Sequence, residues 1–252
     1  MNIAILTGAS AGLGQEYLRL LAADPALNQI WIVARRADRL QTLCDAYPDK
    51  KIVPFSLDLT QETAFAALAE KLEAEKPNIR ILINNAGCGT VGDFVEMDLS
   101  SQTRMADLNV RGLTGVTNLC LSYMTRGAVI LNVGSIAGFA PNTRMAVYCA
   151  TKAYVFQFSK TLRRELKKSG ISVCVACPGP MNTEFFQAGG IVGRSHALEK
   201  GLPRCHADQV AKGSLSAAKK GRGIYTPTLF YKFYRVLCKC LPHGLIMYVS
   251  GT

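Results

Sequence analysis

The clearest indication of the fold comes from Ile3-Ala-Ile-Leu-Thr-Gly-Ala-Ser-Ala-Gly-Leu-Gly14, near the start of the 252-residue chain. Its first four residues form an apolar run typical of a buried strand, and the apolar residues from Leu13 to Ala23 predict a helix. Between them, Gly8, Gly12 and Gly14 allow the backbone to approach a ligand closely. Because a helix N-terminus presents free N–H groups and a positive dipole end, this unit predicts a pyrophosphate site. A purely structural turn is the alternative, since the spacing departs from the common G-x-G-x-x-G pattern.

Strands and helices continue to alternate beyond this unit. We predict strands at 29–33, 51–55, 79–83, 128–133 and 171–176, and helices at 38–47, 62–75, 101–124 and 147–168. Such alternation with short turns is the signature of a doubly wound parallel sheet with helices on both faces. The sequence contains no internal repeat and no linker, so we predict a single α/β domain of the Rossmann type.

The composition favours a globular protein with a sizeable core, because 49% of the residues are hydrophobic and 19% are charged. No apolar run reaches the roughly 18 residues that a membrane-spanning helix needs. The first predicted strand starts too early for a signal peptide, and the nine cysteines are an odd number, so we predict a cytoplasmic protein with reduced thiols. Cys174 and Cys177 would point to opposite faces of their strand, and we predict no metal site.

The net charge of +11 is unevenly distributed. Residues 1–193 contain 19 Lys and Arg against 16 Asp and Glu, whereas residues 194–252 contain 10 against 2. An anionic partner, if there is one, is therefore expected to bind the tail.

The second predicted strand ends at Ala34 and is followed by Arg35 and Arg36. At this distance from the glycines a dinucleotide-binding fold places the residue that contacts the adenosine ribose, where an acidic residue suits NAD(H) and arginine suits the 2′-phosphate of NADP(H). We therefore predict NADP(H), and the alternative is an ordinary basic start to a helix. Asp58, after the third strand, would either accept a hydrogen bond from adenine or cap the following helix.

A group of side chains able to carry acid–base chemistry lies between Ser135 and Lys152. Tyr148 and Lys152 are one helical turn apart, so both would leave the same face of a helix, and an adjacent ammonium lowers the pKa of a phenol. Ser135 follows an apolar strand and would bond a substrate oxygen at the sheet edge. A tyrosine, a lysine and a serine in this arrangement are suited to interconverting an alcohol and a carbonyl. Asn109, inside a predicted helix, needs a hydrogen-bond partner such as a water or a backbone carbonyl.

Six motifs in this order resemble the short-chain dehydrogenase/reductase family over about residues 2–225. They are Thr7-Gly8-x-x-x-Gly12-x-Gly14, Asn84-Asn85-Ala86-Gly87, Asn109, Ser135, Tyr148-x-x-x-Lys152 and Pro178-Gly179. The resemblance implies a seven-stranded sheet, a nicotinamide cofactor, and a catalytic tetrad of Asn109, Ser135, Tyr148 and Lys152. In it, Tyr148 carries the proton, Ser135 holds the substrate oxygen, Lys152 bonds the nicotinamide ribose, and Asn109 positions a water.

The resemblance also implies the residues that hold the cofactor. These are Gly8, Ser10, Gly12, Leu13, Gly14, Arg35, Arg36, Asp58, Leu59, Asn85, Ala86, Gly87, Tyr148, Lys152, Pro178, Gly179 and Thr183. Ala11 stands where some NADP-dependent members carry a further basic residue, which weakens the prediction of NADP(H) without reversing it.

Two segments near the C-terminus are predicted to contact the substrate or a partner. Residues 183–206 combine glycines with apolar side chains and are predicted to close over the substrate, within a catalytic domain of residues 1–226. Residues 227–252 form a basic extension, in which 229–241 predicts an amphipathic helix. Lys232, Arg235 and Lys239 share its basic side, and the predicted apolar side consists of Leu229, Phe230, Phe233, Leu237 and Leu241. Its apolar side would pack on its own domain, roof the substrate cleft, meet a second subunit, or make a peripheral membrane contact through 229–249.

The sequence thus predicts an NADP(H)-dependent oxidoreductase that interconverts a secondary alcohol and a lipophilic ketone, steroid-like or otherwise bulky. The alternatives are a 3-oxoacyl thioester reductase and a non-catalytic nucleotide-binding regulatory protein, the latter with nucleic acid or membrane as partner. For the enzyme we expect a small-molecule substrate, a homodimer or homotetramer as in the resembled family, and no nucleic acid.

Overall fold

The structure, a computed structural model, describes residues 1–182, 184 and 202–250, with the side chains described through residue 248. Seven parallel strands form one sheet in the order β3-β2-β1-β4-β5-β6-β7. Their bounds are β1 Asn2–Thr7, β2 Gln29–Ala34, β3 Lys51–Ser56, β4 Asn78–Asn84, β5 Val129–Val133, β6 Ser172–Ala176 and β7 Ile224–Tyr225. The six strands predicted above are confirmed to within a residue at either end, and the doubly wound parallel sheet is confirmed with them.

Helices connect the strands and cover both faces of the sheet. Their bounds are α1 Leu13–Ala22, α2 Ala37–Asp45, α3 Glu62–Glu75, α4 Leu99–Ala106, α5 Leu113–Leu121, α6 Ala146–Glu165, α7 Ala207–Lys219, α8 Leu229–Cys240 and α9 His243–Ser250. The single helix predicted at 101–124 starts earlier, ends earlier, and is interrupted by a π-helical segment, Asp107–Gly112, between α4 and α5. A local π-helical turn widens the backbone spiral and commonly re-aims a side chain at a functional site.

The core forms two layers because consecutive residues of a strand point to opposite faces of the sheet. In β1, Ala4 and Leu6 join the layer under α1 and α7, whereas Ile3 and Ile5 join the layer under α3 and α5. Burial on both faces explains why the strands read as continuous apolar runs rather than as an alternating pattern.

The strand order reverses between β1 and β4, so the chain leaves these neighbouring strands toward opposite sides of the sheet. In open parallel sheets this reversal opens a crevice at the carboxyl ends of the strands, and ligands bind there. Gly8 follows β1 and Asn85 follows β4, so the two predicted cofactor turns lie together at this crevice.

The helix predicted at 229–241 is present as α8, but the side that it buries differs from the predicted apolar side. Tyr231 and Cys238 are buried against the domain, whereas Leu229, Phe233 and Val236 are exposed. Tyr231 packs so closely on Gly179 that a Cβ at that glycine would lie 2.3 Å from the tyrosine ring. Within the described ranges, no helix combines the length and the apolar character that a bilayer crossing requires.

Candidate active site

Tyr148, Ser135 and Lys152 converge at the carboxyl end of β5. The side chain of Ser135, directly after this strand, accepts a hydrogen bond from the Ala137 amide at 3.1 Å. Tyr148, in the first turn of α6, is hydrogen-bonded to Ser135. One turn later, the Lys152 ammonium donates to the Val133 carbonyl at 3.1 Å and lies 5.8 Å from the centroid of the Tyr148 ring. The predicted convergence of phenol, hydroxyl and ammonium is therefore present in the fold.

Burial controls the protonation of both titratable groups in this cluster. Burial raises the pKa of Tyr148 to about 12, and the hydrogen bond from Ser135 only partly opposes this change. Burial also lowers the pKa of Lys152 to about 8. The direction for Tyr148 is opposite to the one predicted from the spacing, because desolvation dominates and the Lys152 ammonium is directed at the Val133 carbonyl. With protein groups alone around it, the phenol keeps its proton at neutral pH.

Asn109 lies in the π-helical segment and holds the loop after β4. Its amide oxygen accepts from the Cys88 amide at 2.9 Å, and its amide nitrogen donates to the Cys88 carbonyl at 2.8 Å. The same nitrogen donates to the Thr151 hydroxyl at 3.0 Å, next to Lys152 in α6. Of the two partners expected for this asparagine, the structure supplies the backbone carbonyl.

The glycine turn forms a concave backbone surface at the N-terminus of α1. Gly8 and Gly12 have φ of 68° and 51°, in the left-handed region that favours glycine. A Cβ at Gly14 would lie 2.0 Å from the Gly8 carbonyl oxygen, so no larger residue fits there. The amide of Asn85 donates to that same carbonyl at 2.9 Å, which ties the turn to the loop after β4. Among the described residues, no side chain caps the first turn of α1, so this cradle fits a pyrophosphate group.

The predicted adenosine end of the crevice is polar. Asp58 accepts from the Thr60 amide and hydroxyl and forms an ion pair with Arg104 at 3.0 Å, which holds its pKa below the usual range against the opposing effect of burial. It does not cap α3, which starts after Gln61 without a side-chain cap. Arg35 lines the crevice, and its guanidinium makes no hydrogen bond or ion pair with any described residue.

A single cleft of about 980 Å³ connects these groups. Of the predicted catalytic and cofactor residues that the structure describes, all but Asn109 and Gly14 line it. The lining residues are Gly8, Ser10, Gly12, Leu13, Arg35, Arg36, Asp58, Leu59, Asn85, Ala86, Gly87, Ser135, Tyr148, Lys152, Pro178 and Gly179. Asn109 and Gly14 lie behind the lining, where they support it. Thr183 lies outside the described residues, as does most of the predicted lid 183–206, of which only Glu184 and 202–206 are described.

Several contacts of the site were not predicted from the sequence. Arg104 pairs with Asp58 from α4, and Glu184 pairs with Arg39 from a segment distant in the chain. Arg39 follows Arg36 by three residues, and this helical spacing is a signal that would have indicated Arg39 as a neighbour of Arg36 at the site. No local pattern points to Glu184 or to Arg104.

The far wall of the cleft is apolar and comes partly from the C-terminal helices. Met145, Leu202, Phe230, Phe233, Tyr234, Leu237 and Ile246 line it. Four alternatives were predicted for the apolar side of residues 229–241. Phe230, Phe233 and Leu237 of that side line the cleft, as the roofing alternative expects. The helix is buried on its own domain at Tyr231, which does not belong to the predicted apolar side.

Comparison with known proteins gives a consistent result. The family described as short chain dehydrogenase matches residues 2–189. Sulfoacetaldehyde reductase 2 of Chromohalobacter salexigens is 32% identical over 218 residues, which cover 84% of this chain and 86% of the relative.

Two solved structures are similar over nearly the whole fold. A short-chain dehydrogenase from Sphingobium yanoikuyae in complex with NADPH has a TM-score of 0.82 and 29% identity, covering 98% of this chain and 95% of the other. The bulky-bulky ketone specific alcohol dehydrogenase from Comamonas testosteroni has a TM-score of 0.75 and 26% identity, covering 98% and 94%. Together with the matched family, the sheet order and the arrangement of the cleft lead to one conclusion: this chain is an oxidoreductase that belongs to the short-chain dehydrogenase family.

Proposed function

We propose that the protein interconverts a secondary alcohol and a lipophilic ketone with NADP(H), using Tyr148 as the general acid and base. The observation that carries the proposal is the hydrogen bond between Tyr148 and Ser135 inside the cleft, with Lys152 one helical turn away. A phenol paired with a hydroxyl at the end of a dinucleotide crevice is positioned to protonate a carbonyl oxygen.

In the proposed mechanism the Ser135 hydroxyl holds the carbonyl oxygen of the substrate, and Tyr148 donates its proton to that oxygen as the alcohol forms. The nicotinamide cofactor, when bound, supplies the hydride. Because the pKa of Tyr148 is raised to about 12, the phenol is protonated at neutral pH, which is the form that ketone reduction requires. Lys152 would bond the nicotinamide ribose, and Asn109 would hold a water that continues the proton path.

NADP(H) is the cofactor that the adenosine end of the cleft supports best. The guanidinium of Arg35 is without a hydrogen-bonded or ion-paired partner among the described residues, so it is available to a 2′-phosphate. The related structure from Sphingobium yanoikuyae contains NADPH, which agrees with this choice. Arg35→Ala is expected to weaken binding of NADPH about tenfold or more and to leave NADH binding nearly unchanged. Equal losses for both cofactors would argue against this role of Arg35.

The apolar far wall supports a bulky, lipophilic ketone as the substrate, steroid-like or otherwise. Phe230, Phe233 and Leu237 would contact the substrate body, while Ser135 and Tyr148 contact its oxygen. The similar alcohol dehydrogenase from Comamonas testosteroni is described as specific for bulky-bulky ketones, which agrees with this class. A 3-oxoacyl thioester remains the alternative substrate.

The decisive experiment compares the wild type with Tyr148→Phe on a panel of ketones and 3-oxoacyl thioesters. Loss of the phenolic proton is expected to reduce kcat by about 10²-fold or more while NADPH still binds. Tyr154→Phe is the matched control, because Tyr154 lies on the same helix and its hydroxyl bonds Thr114 at 2.8 Å outside the cleft lining. Equal rates for wild type and Tyr148→Phe would refute the mechanism, and no turnover by either would favour the non-catalytic alternative.

We also propose a cytoplasmic protein with a catalytic domain of residues 1–226 and a C-terminal extension, 227–252, that contacts membranes peripherally. Most of the large apolar side chains that are exposed in the described ranges lie between 229 and 248. Lys232 and Lys239 are exposed on α8 beside them, and no Asp or Glu follows Asp208 in the sequence. An exposed apolar surface with a basic border is suited to anionic lipid.

Vesicles of phosphatidylcholine, with and without phosphatidylserine, test the membrane contact by co-sedimentation. Leu229→Ser with Val236→Ser removes exposed side chains that do not line the cleft, so it is expected to abolish binding and keep activity. Val95→Ser with Leu99→Ser is the control on another exposed apolar surface. If the tail variant instead dissociates a homodimer or homotetramer, measured by light scattering, the surface is a subunit interface.

A further inference from the structure

An ion pair crosses the edge of the cleft at its adenosine end. The Glu184 carboxylate accepts from the Nη1 atom of Arg39 at 2.8 Å through both of its oxygens, and one oxygen lies 3.5 Å from Nη1 of Arg36. Arg36 immediately precedes α2 and Arg39 lies in its first turn, whereas Glu184 follows β6 across the sheet. Glu184 and Arg36 are among the residues that line the cleft.

Three guanidinium groups therefore gather where β2 ends, and they are not equivalent. Arg36 also lies 3.4 Å from the Ser10 hydroxyl, in the glycine turn, so its side chain is directed toward the cofactor cradle. Arg36 and Arg39 share the carboxylate of Glu184, while Arg35 pairs with no described residue. A carboxylate and a phosphate monoester bind guanidinium groups through the same fork of hydrogen bonds, so each is a competitor for the other.

We propose that Glu184 is a specificity-determining residue, which competes with the 2′-phosphate of NADP(H) for Arg36 and Arg39 and so limits the preference over NAD(H). The inference rests on the proposed function, in which Arg35 binds that phosphate. Arg39 is then a third phosphate-binding residue that becomes available only when Glu184 releases it.

The charges explain why the two cofactors are affected differently. Arg39 holds the pKa of Glu184 below its usual range, so the carboxylate is ionised at neutral pH. A 2′-phosphate brought beside it meets like-charge repulsion and must also break the pair with Arg39. NAD(H) carries a 2′-hydroxyl at this position, so it leaves the ion pair intact.

The test is Glu184→Gln, which keeps the shape of the side chain and removes its charge. Dissociation constants for NADPH and NADH are measured by quenching of cofactor fluorescence, first at low and then at high ionic strength. At low salt, NADPH is expected to bind about three- to tenfold more tightly to the variant, with less gain at high salt, and NADH to change less than about twofold. Adding Arg39→Ala to Glu184→Gln is expected to remove the gain.

Glu62→Gln is the matched control, because its carboxylate also pairs with an arginine, Arg111 at 3.2 Å, but away from the cleft lining. It is expected to change neither dissociation constant. The inference is overturned if the ratio of the two dissociation constants is unchanged in Glu184→Gln, whether neither constant changes or both change equally. A wild type without any preference for NADPH would refute the proposed cofactor choice, while a preference that appears only in Glu184→Gln would still support the competition.

Discussion

Replacing Lys152 by methionine is expected to make the protein more stable while it abolishes activity. The ammonium is 5% exposed, and its one hydrogen bond to a described atom is to the Val133 carbonyl at 3.1 Å. Removing a charge from water without a carboxylate partner is costly, and that cost appears as the lowered pKa of Lys152. The site therefore holds a charged group at the expense of the free energy of folding.

The magnitude follows from the pKa of Lys152. Its displacement from 10.5 to about 8 corresponds to about 3 kcal/mol of unfavourable free energy at neutral pH, at about 1.4 kcal/mol per pH unit. Methionine gives up the hydrogen bond to Val133, worth about 1 kcal/mol, and a weak contact with the Tyr148 ring. The net gain is about 1–2 kcal/mol, which raises the Tm of a chain of this length by about 4 °C.

Urea unfolding of both proteins without cofactor, at several pH values, measures this gain. Between pH 8 and 10.5 the unfolded lysine binds a proton that the folded lysine has lost, so wild-type stability rises with pH relative to the variant. The stability difference between the variant and the wild type is thus fully present below about pH 8 and disappears as the pH approaches 10.5. Lys160→Met is the control, because Lys160 is exposed on the same helix. A variant no more stable than the wild type at pH 7, or a gap independent of pH, would refute the reasoning.

Three further substitutions test other parts of the structure. Gly179→Ala would place a Cβ 2.3 Å from the Tyr231 ring. We expect it to lower the free energy of unfolding by about 2 kcal/mol and to increase proteolysis of α8. Unaltered digestion would count against this close packing. Asn132→Leu removes the acceptor that lies 2.8 Å from the buried Asn84 amide nitrogen. The free energy of unfolding, measured in urea, is expected to fall by about 2 kcal/mol. An unchanged free energy of unfolding would show that this hydrogen bond is unimportant for stability. Ser135→Ala removes the hydroxyl bonded to the candidate catalytic phenol of Tyr148. The pH profile of alcohol oxidation is expected to shift to higher pH, and ketone reduction is expected to slow about 10²-fold. An unchanged pH profile would show that Ser135 does not influence the titration of Tyr148.

Local sequence patterns were sufficient to predict the sheet and the glycine turn after β1. The strand at Ile3–Leu6 and the glycines that follow depend on burial and on backbone conformation within a few residues. The position of Ser135 at a strand end, and the common helix face of Tyr148 and Lys152, depend on strand and helix periodicity alone. These features are visible in the sequence because their physical causes are short-range.

Other features of the site required the fold. The pKa of Tyr148 rises because surrounding layers exclude water, and the spacing to Lys152 gave the opposite direction. On α8, Tyr231 faces inward and packs on Gly179, whereas the apolar side predicted for that helix is largely exposed.

The doubly wound sheet, the glycine cradle and the tyrosine–lysine pair on one helix could all be predicted from local sequence. Backbone preference and side-chain periodicity act within one or two turns of chain. The folded arrangement was needed to show which charges meet at the cleft edge, as Glu184 does with Arg39. The fold was also needed to show how strongly water is excluded from Lys152. Both depend on residues far apart in sequence, and desolvation and ion pairing follow distance in space.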